Sequence, residues 1–279
     1  MSALKSGLIA SVIACLPFNA IAVERYQYRA AVKTATAPMP VAESEQLKGI
    51  VDNLLQDNDE FAKSHNAAYF KPLIAGQTPR ATVVTCSDSR VHTHALDKSP
   101  DGDLFMVRNI GNQLVTAEGS VEYGVHHLHT PLLIIVGHSS CGAIKAASGN
   151  YAKESRAIKR ELDGIRIAKG VANMDGVRSN VNNQVAAALR KFRREVKLGE
   201  LTVIGAVYDF ANDLGQGFGK LNVINLNGET DKARIKDSKL LAGPAMVEKP
   251  MTGKDSALSD GGVPVPNGVN VKPAAYSYP

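Results

Sequence analysis

Two short polar segments carry the residue types in this sequence that are best suited to chemistry. Residues 85–90 read Thr-Cys-Ser-Asp-Ser-Arg, and residues 137–142 read Gly-His-Ser-Ser-Cys-Gly. Each segment follows a run of apolar and β-branched residues, at 81–85 and 132–136, which is typical of a buried parallel strand. Two cysteines and one histidine would then lie at the same edge of one sheet, which indicates a metal site.

Cys86, His138 and Cys141 are the side chains that such an edge brings together. Thiolate and imidazole are good zinc ligands, and a catalytic zinc site typically has three protein ligands and an open fourth position. The His-x-x-Cys spacing places two of them on one turn, and a predicted helix begins directly after Cys141, where the helix dipole favours a thiolate. A disulfide between Cys86 and Cys141 is the alternative, but it gives His138 no role.

Asp88 and Arg90 lie just beyond Cys86, at positions i and i+2 of the same turn. Arg90 can contact the carboxylate with two N–H groups, which would keep Asp88 ionised and fix its direction. A carboxylate held beside a metal-bound water can accept its hydrogen bond and help to remove its proton. The alternative is a structural ion pair that closes the loop.

The elements that must position these residues follow from the periodicity of the apolar residues. Helical spacing runs through residues 43–64, 117–129 and 180–198, and further apolar runs at 104–107 and 201–210 predict two more strands. Strands that alternate with helices predict an α/β fold with a mainly parallel central β-sheet flanked by helices. In such sheets ligands bind beyond the carboxyl ends of the strands, where both polar segments lie.

The composition divides the chain into four parts. Residues 1–22 have the form of a signal peptide, and residues 23–42 are an Ala-, Thr- and Pro-rich linker or arm. Residues 43–228 carry the folded domain. Residues 229–279 are turn-rich and poor in large apolar residues, which predicts a largely disordered tail.

The start of the chain has the order of features found in secretory signals. Lys5 precedes the apolar run 7–22, which ends in the small residues Ala20-Ile21-Ala22. This predicts a periplasmic or secreted protein with no stable membrane span in its mature form, since the run is too short and broken to span comfortably. A buried N-terminal helix is one alternative. Lipoprotein cleavage before Cys15 is another, less favoured because the preceding apolar run is short.

The charge pattern bounds the class of partner. The net charge is +5, and the Lys and Arg residues are scattered among Asp and Glu without a basic arm or interleaved aromatic residues. This is a solvated surface of mixed charge and argues against a nucleic-acid partner.

The two polar segments together carry a family resemblance. Cys-Ser-Asp-Ser-Arg-Val, followed about fifty residues later by Gly-His-Ser-Ser-Cys-Gly-Ala, resembles the β-class carbonic anhydrases of the plant-like, open-site subtype. Intervening segments are similar as well, among them Gly-Gln-Thr-Pro, Leu-Phe-Met-Val-Arg-Asn-Ile and Ile-Gly-Ala-Val-Tyr-Asp. The similarity extends over residues 43–221, most of the chain that follows the predicted signal.

The resemblance implies an enzyme, a carbonate dehydratase, with one Zn²⁺ per subunit. It would hydrate CO2 reversibly to bicarbonate and a proton by attack of a zinc-bound hydroxide, and its role would be carbon utilisation. Cys86, His138 and Cys141 match the family's zinc ligands, and Asp88 and Arg90 match its assisting dyad. Rival functions are hydrolysis of carbonyl sulfide or carbon disulfide, and a metal-free or zinc-sequestering interaction protein that keeps the fold.

The resemblance also implies how the substrate pocket and the assembly are built. Gln77, Phe105 and Tyr123 match substrate-binding positions, some of which are lent across a dimer interface. The family forms homodimers, often paired into homotetramers, and residues 43–64 would be the N-terminal helix that embraces the partner.

One residue position separates two subtypes of this family. Members with a bicarbonate-stabilised closed state carry a Trp three residues before the first zinc cysteine. This chain has Val83 at that position and no Trp anywhere. We therefore expect an open site, with water on zinc and without that switch.

Overall fold

The computed structural model of the chain describes residues 43–241, so the predicted signal, the linker and the last part of the predicted tail lie outside the described residues. The chain divides into two units, the first ending at Asn66 and the second beginning at Ala67. The described part of the first unit is a helix, and the second unit contains the sheet.

Helix α1 spans Glu43–Ser64, the range that the apolar periodicity predicts. Lys48 pairs with Asp52 and Gln56 with Glu60, each one turn along, and such i,i+4 pairs support a helix. Its large apolar side chains are exposed: Leu47, Ile50, Val51, Leu54, Leu55 and Phe61. A contiguous exposed apolar surface of this kind is typical of an association surface.

A five-stranded sheet forms the centre of the second unit. The strands are β1 (Ala81–Cys86), β2 (Leu104–Asn109), β3 (Leu132–His138), β4 (Thr202–Asp209) and β5 (Lys220–Leu226). They lie in the order β2-β1-β3-β4-β5; β1 to β4 are parallel, and β5 is antiparallel to β4. The predicted mainly parallel sheet is confirmed, and β5 is a strand that the sequence pattern did not predict.

Seven further helices surround this sheet within the described residues. They are α2 (Ala67–Ile74), α3 (Glu118–Glu122), α4 (Gly142–Ser148), α5 (Arg156–Asp163), α6 (Met174–Lys191), α7 (Arg193–Leu198) and α8 (Lys232–Lys236).

Two predicted helices differ from the observed ones. The helix predicted at 117–129 continues beyond α3 as a π-helical turn, Tyr123–His127. The helix predicted at 180–198 begins earlier, after the Asn173 side chain that caps α6, and is interrupted at Phe192. The Phe192 side chain is completely buried, so tertiary packing determines where the backbone leaves the helix.

Close packing of α6 on β3 and β4 fixes the strand that ends in His138. Two glycines face the helix and make this approach feasible. A Cβ atom at Gly205 would lie 2.8 Å from Val181 Cγ1 and 2.9 Å from Val185 Cγ2, and one at Gly137 would lie 2.7 Å from Val181 Cγ2. The buried face of α6 consists of Val177, Val181, Val185 and Ala188.

We expect Gly205→Ala to lower the free energy of unfolding by about 1–3 kcal/mol, because the added methyl group has no room between β4 and α6. Urea denaturation followed by circular dichroism measures this change. Gly119→Ala in α3 is the matched control, since a Cβ atom there meets nothing within 4 Å. An equal loss of stability in both variants would contradict the packing argument.

The predicted tail is partly folded. Residues 229–241 are described, and α8 packs against β5 with Ile235 buried. Asp231 caps the helix by accepting a hydrogen bond from the backbone N–H of Arg234. One large apolar residue in a polar segment is therefore enough to attach it to the sheet edge, so the folded region extends beyond the predicted boundary at 228.

Across the described residues, none of the helices combines the length and the apolar character needed to cross a membrane.

Candidate metal centre and its surroundings

The three predicted metal ligands lie at one edge of the sheet. Cys86 is the last residue of β1 and His138 the last residue of β3, and these two strands are parallel neighbours. Cys141 is the N-cap residue of α4, three residues after His138. The sequence order strand, turn and helix therefore delivers all three side chains to the carboxyl ends of the strands.

The ligand atoms of Cys86, His138 and Cys141 all lie within 4.8 Å of one another, and all three side chains are buried. His138 Nδ1 lies 2.9 Å from the backbone oxygen of Ser139, to which a protonated Nδ1 donates. Its Nε2 is buried and has no hydrogen-bond partner among the described residues. An imidazole fixed through Nδ1, with its other nitrogen buried and unpaired beside two sulfurs, is the arrangement of a metal ligand.

The pKa values of the two thiols are shifted in opposite directions. Both cysteines are free. The pKa of Cys86 is lowered, chiefly because the Cys141 side chain hydrogen-bonds to it. The pKa of Cys141 is raised, because it hydrogen-bonds to Cys86, is buried and lies beside the thiolate of Cys86. Cys86 therefore loses its proton readily, and its negative charge opposes deprotonation of Cys141. A divalent cation bound between the two sulfurs would stabilise both thiolates. Two sulfurs and one imidazole nitrogen are a donor set that suits Zn²⁺.

Asp88 and Arg90 form the two-pronged contact that their spacing predicts. Arg90 Nε donates to Asp88 Oδ1 at 2.8 Å, and Arg90 Nη2 donates to Asp88 Oδ2 at 2.7 Å. The backbone N–H of Arg90 also donates to Oδ1. These hydrogen bonds hold the pKa of Asp88 well below its usual range. Asp88 Oδ2 lies 3.9 Å from His138 Nε2, so the ionised carboxylate faces the metal ligands.

Arg108 is a supporting residue that the sequence analysis did not single out. Its Nε donates to the backbone oxygen of Cys86 at 3.1 Å, and its Nη2 donates to those of Asp88 at 2.8 Å and Val91 at 2.7 Å. One guanidinium on β2 therefore holds the whole turn that follows β1. The sequence signal was a basic residue directly after the apolar run at 104–107.

A buried carboxylate, Asp209 at the end of β4, supports the second turn. It accepts hydrogen bonds from Ser139 Oγ at 2.6 Å, from the N–H of Leu214 at 2.7 Å and from the N–H of Asp213 at 3.0 Å. Burial by itself would raise the pKa of Asp209, but these donors outweigh it and the pKa is lowered. The residue next to His138 is thereby tied to the neighbouring strand.

The predicted substrate-binding residues are not brought to the metal ligands of the same chain. Phe105 and Tyr123 contact each other, with ring centroids 5.8 Å apart. Phe105 pairs with Thr82, four residues before Cys86, which corresponds to about 13 Å along the strand. Gln77 precedes β1 altogether. These side chains lie toward the amino ends of the strands, and the metal ligands lie at the carboxyl ends.

Comparison with known proteins gives consistent results. The family model described as carbonic anhydrase matches residues 81–216. Carbonic anhydrase 2 of Mycobacterium tuberculosis is 30% identical over 152 residues, which are 49% of this chain and 72% of the relative. The carbonic anhydrase of Pseudomonas aeruginosa is 30% identical over 190 residues, which are 58% of this chain and 83% of the relative.

Solved structures share the fold. A tetrameric β-carbonic anhydrase from Sordaria macrospora superposes with a TM-score of 0.53 at 24% identity, over 63% of this chain and 97% of that one. The β-carbonic anhydrase of Coccomyxa in complex with acetazolamide gives a TM-score of 0.53 at 24% identity, over 70% of this chain and 92% of that one.

Proposed function

Because this chain belongs to the β-class carbonic anhydrases, we propose that Asp88 and Arg90 assist the reversible hydration of CO2 at a zinc ion held by Cys86, His138 and Cys141. The observation that carries the proposal is the position of Asp88 Oδ2, which lies 3.9 Å from the unpartnered Nε2 of His138. A fixed carboxylate beside the open side of a metal site is placed to act on the water that reacts with CO2.

Zinc, when bound, is a Lewis acid that lowers the pKa of a water molecule to about 7. The chain's own contribution is orientation. Arg90 keeps the Asp88 carboxylate ionised and fixes its plane, so that Oδ2 accepts a hydrogen bond from the reacting water. Because the pKa of Asp88 is so low, the carboxylate does not store the proton at neutral pH, and the proton passes on to solvent.

The same contacts support an open site. Both oxygens of Asp88 accept hydrogen bonds from Arg90, and among the described residues the candidate metal group consists of Cys86, His138 and Cys141 without Asp88. We therefore propose that Asp88 is a partner of the water and not a fourth ligand. Val83, in place of a tryptophan, agrees with this assignment.

We also propose that the enzyme is a homodimer, or a tetramer made of two such dimers. The apolar side chains of α1 are exposed, and the pocket residues Gln77, Phe105 and Tyr123 lie far along the strands from their own chain's metal ligands. A second copy would supply them across the interface. Light scattering of the purified protein measures the assembly, and an active monomer would contradict it.

We propose that the enzyme acts outside the cytoplasm. The support is the sequence of residues 1–22, with Lys5, the apolar run and the Ala-Ile-Ala end. N-terminal sequencing of the protein purified from its native host tests this assignment, since it would find a start near residue 23. A protein that retains residues 1–22 would overturn it.

Removal of zinc is expected to abolish CO2 hydration, and zinc is expected to restore it. Stopped-flow hydration is measured on the purified protein, after dialysis against a chelator with a reductant present, and again after adding one equivalent of zinc or magnesium. Only zinc should restore turnover, since the donor atoms are two sulfurs and one nitrogen. Full activity of the metal-free protein, or none in the zinc-loaded protein, would overturn the proposed function.

A further inference from the structure

Phe210 follows β4 directly and lies against both halves of the site. The guanidinium carbon of Arg90 is 5.0 Å from the centroid of the Phe210 ring. The imidazole of His138 lies on the same ring in a stacked arrangement, with centroids 6.0 Å apart and an interplanar angle of 27°. Among the described residues, Phe210 is the one aromatic side chain that contacts both groups.

We propose that Phe210 is a positioning residue for the hydration reaction: its ring holds the guanidinium of Arg90, and Arg90 in turn orients the carboxylate of Asp88. This inference rests on the proposed function of the Asp88–Arg90 pair. It adds a third residue to the Asp88–Arg90 pair, from the segment that follows β4.

Arg90 needs such a support because its side chain is 48% exposed. Its other contacts are the Asp88 carboxylate and the backbone oxygen of Ser140, to which Nη2 donates at 3.1 Å. Water competes for these N–H groups, and a long side chain loses rotamer freedom when it is held. An aromatic face attracts the guanidinium by cation–π interaction and excludes water from one side of it.

The ring can act as a support because it is itself well fixed. Tyr208 packs against it edge-on, with centroids 5.7 Å apart. The preceding residue, Asp209, is buried and binds Ser139 and the backbone N–H groups of residues 213 and 214. A side chain at the end of a strand anchored in this way positions its neighbours more precisely than one on a free loop does.

The stacking on His138 places the same ring against a metal ligand. The imidazole is already held through Nδ1 and by its burial at the end of β3. We therefore expect loss of the ring to affect Arg90 first, and zinc binding little. This separation makes the proposal testable, since a general disruption of the site would lower both.

The test compares Phe210→Leu, which removes the π face, with Phe210→Tyr, which retains it. Phe210→Leu is expected to lower kcat about ten-fold with KM changed less than about two-fold, and Phe210→Tyr to stay within about two-fold of the wild type. Zinc content, measured by atomic emission, should stay at one per chain in both. Phe218→Leu is the matched control, because Phe218 is 76% exposed and should leave all three quantities unchanged.

Coupling to Arg90 is tested by a double-mutant cycle. If Phe210 acts through Arg90, Phe210→Leu should cause no further loss of kcat in an Arg90→Gln background. An equal ten-fold loss in both backgrounds would overturn the proposal, and so would wild-type kcat in Phe210→Leu.

A second readout does not depend on activity. The Nε–Hε group of Arg90, whose signal is assigned by its loss in Arg90→Gln, donates to Asp88 whichever residue stands at 210, so the effect of the ring is measured as a difference between these variants. The signal of the wild type and of Phe210→Tyr should lie upfield of its position in Phe210→Leu. The same position in the wild type and in Phe210→Leu would refute the contact. If the wild type shows the shift and binds zinc but does not hydrate CO2, the proposed function fails while the contact stands.

Discussion

Replacement of Cys86 or Cys141 by serine is expected to remove zinc and to lower CO2 hydration more than about a thousand-fold. Each cysteine supplies one of three donor atoms in a buried cluster, and a serine hydroxyl is a poor zinc ligand. The loss leaves His138 Nε2 buried with one sulfur in place of two. Zinc per chain after dialysis and stopped-flow turnover measure the effect.

The variants should remain folded, which separates loss of metal from loss of structure. Serine suits position 141 in particular, because Cys141 is the N-cap of α4 and serine is a favoured N-cap residue. His126→Ala is a useful control for zinc content, since His126 pairs with Glu195 outside the candidate metal group. Zinc retained at one per chain in both cysteine variants would exclude the assigned ligands.

Asp88→Asn is expected to lower kcat by about a hundred-fold or more while zinc stays bound. The asparagine amide has one acceptor oxygen in place of two, so its NH2 group faces an N–H donor of Arg90 and the two-pronged contact is lost. Arg90→Gln should cause a comparable loss, and the double variant should be little worse than either, because the two residues act as one unit. Stopped-flow kinetics with parallel zinc analysis measure these changes.

Asp175→Asn is the matched control for this charge change. Asp175 is an exposed carboxylate near the start of α6 that also faces an arginine, Arg178, at 3.9 Å. Its replacement should leave kcat and zinc content unchanged. An Asp88→Asn variant with wild-type turnover would show that the Asp88–Arg90 pair only closes the loop.

The pH dependence of the wild type gives a further check on Asp88. Arg90 lowers the pKa of this carboxyl in the folded protein, so Asp88 remains ionised as the pH falls from 7 to 5. Any loss of kcat across that range must come from another group, such as the reacting water. A midpoint that persists in the kcat profile of the zinc-loaded Asp88→Asn variant, displaced by removal of the neighbouring negative charge, would agree with this assignment, and disappearance of the midpoint would contradict it.

The grouping of Cys86, His138 and Cys141 and four of the strands could be predicted from the sequence because both signals are local. A continuous run of β-branched residues marks a strand buried on both faces, and the polar residues that follow it mark its carboxyl end. Strand β5 gives no such signal. It is an edge strand, begins with the exposed residues Lys220 and Leu221, and carries Asn222 and Asn225.

The π-helical turn shows where local periodicity fails. Gly124 lies so close to β1 that a Cβ atom there would be 2.1 Å from Thr82 Oγ1. Its backbone oxygen accepts hydrogen bonds from both the N–H and the hydroxyl of Thr130. These contacts join residues that are distant in sequence or follow a turn, and they determine where the helix widens. A pattern of apolar residues does not encode them.

The same limit applies to the surroundings of the metal site. Arg108, Asp209 and Phe210 lie on strands or strand ends far along the chain from the turns that they hold. An arginine, an aspartate and a phenylalanine near strand ends are common and do not by themselves indicate a role. Only their contacts in the folded chain show which turn or side chain each one supports. Cys86, His138 and Cys141 could be identified as candidate ligands because each lies in a short polar segment that directly follows a predicted strand.

The two free thiols at the metal centre can enter two different reactions, metal binding and disulfide formation. The sulfurs of Cys86 and Cys141 lie within 4.8 Å of each other, so a single metal ion can bind both. An oxidant that takes up two electrons and two protons can instead join them in a disulfide. These two fates exclude each other, and the metal-free chain is the form exposed to oxidation. Bound zinc is therefore expected to protect both thiols from oxidation, whereas a disulfide would leave His138 as the one remaining donor of the candidate metal group.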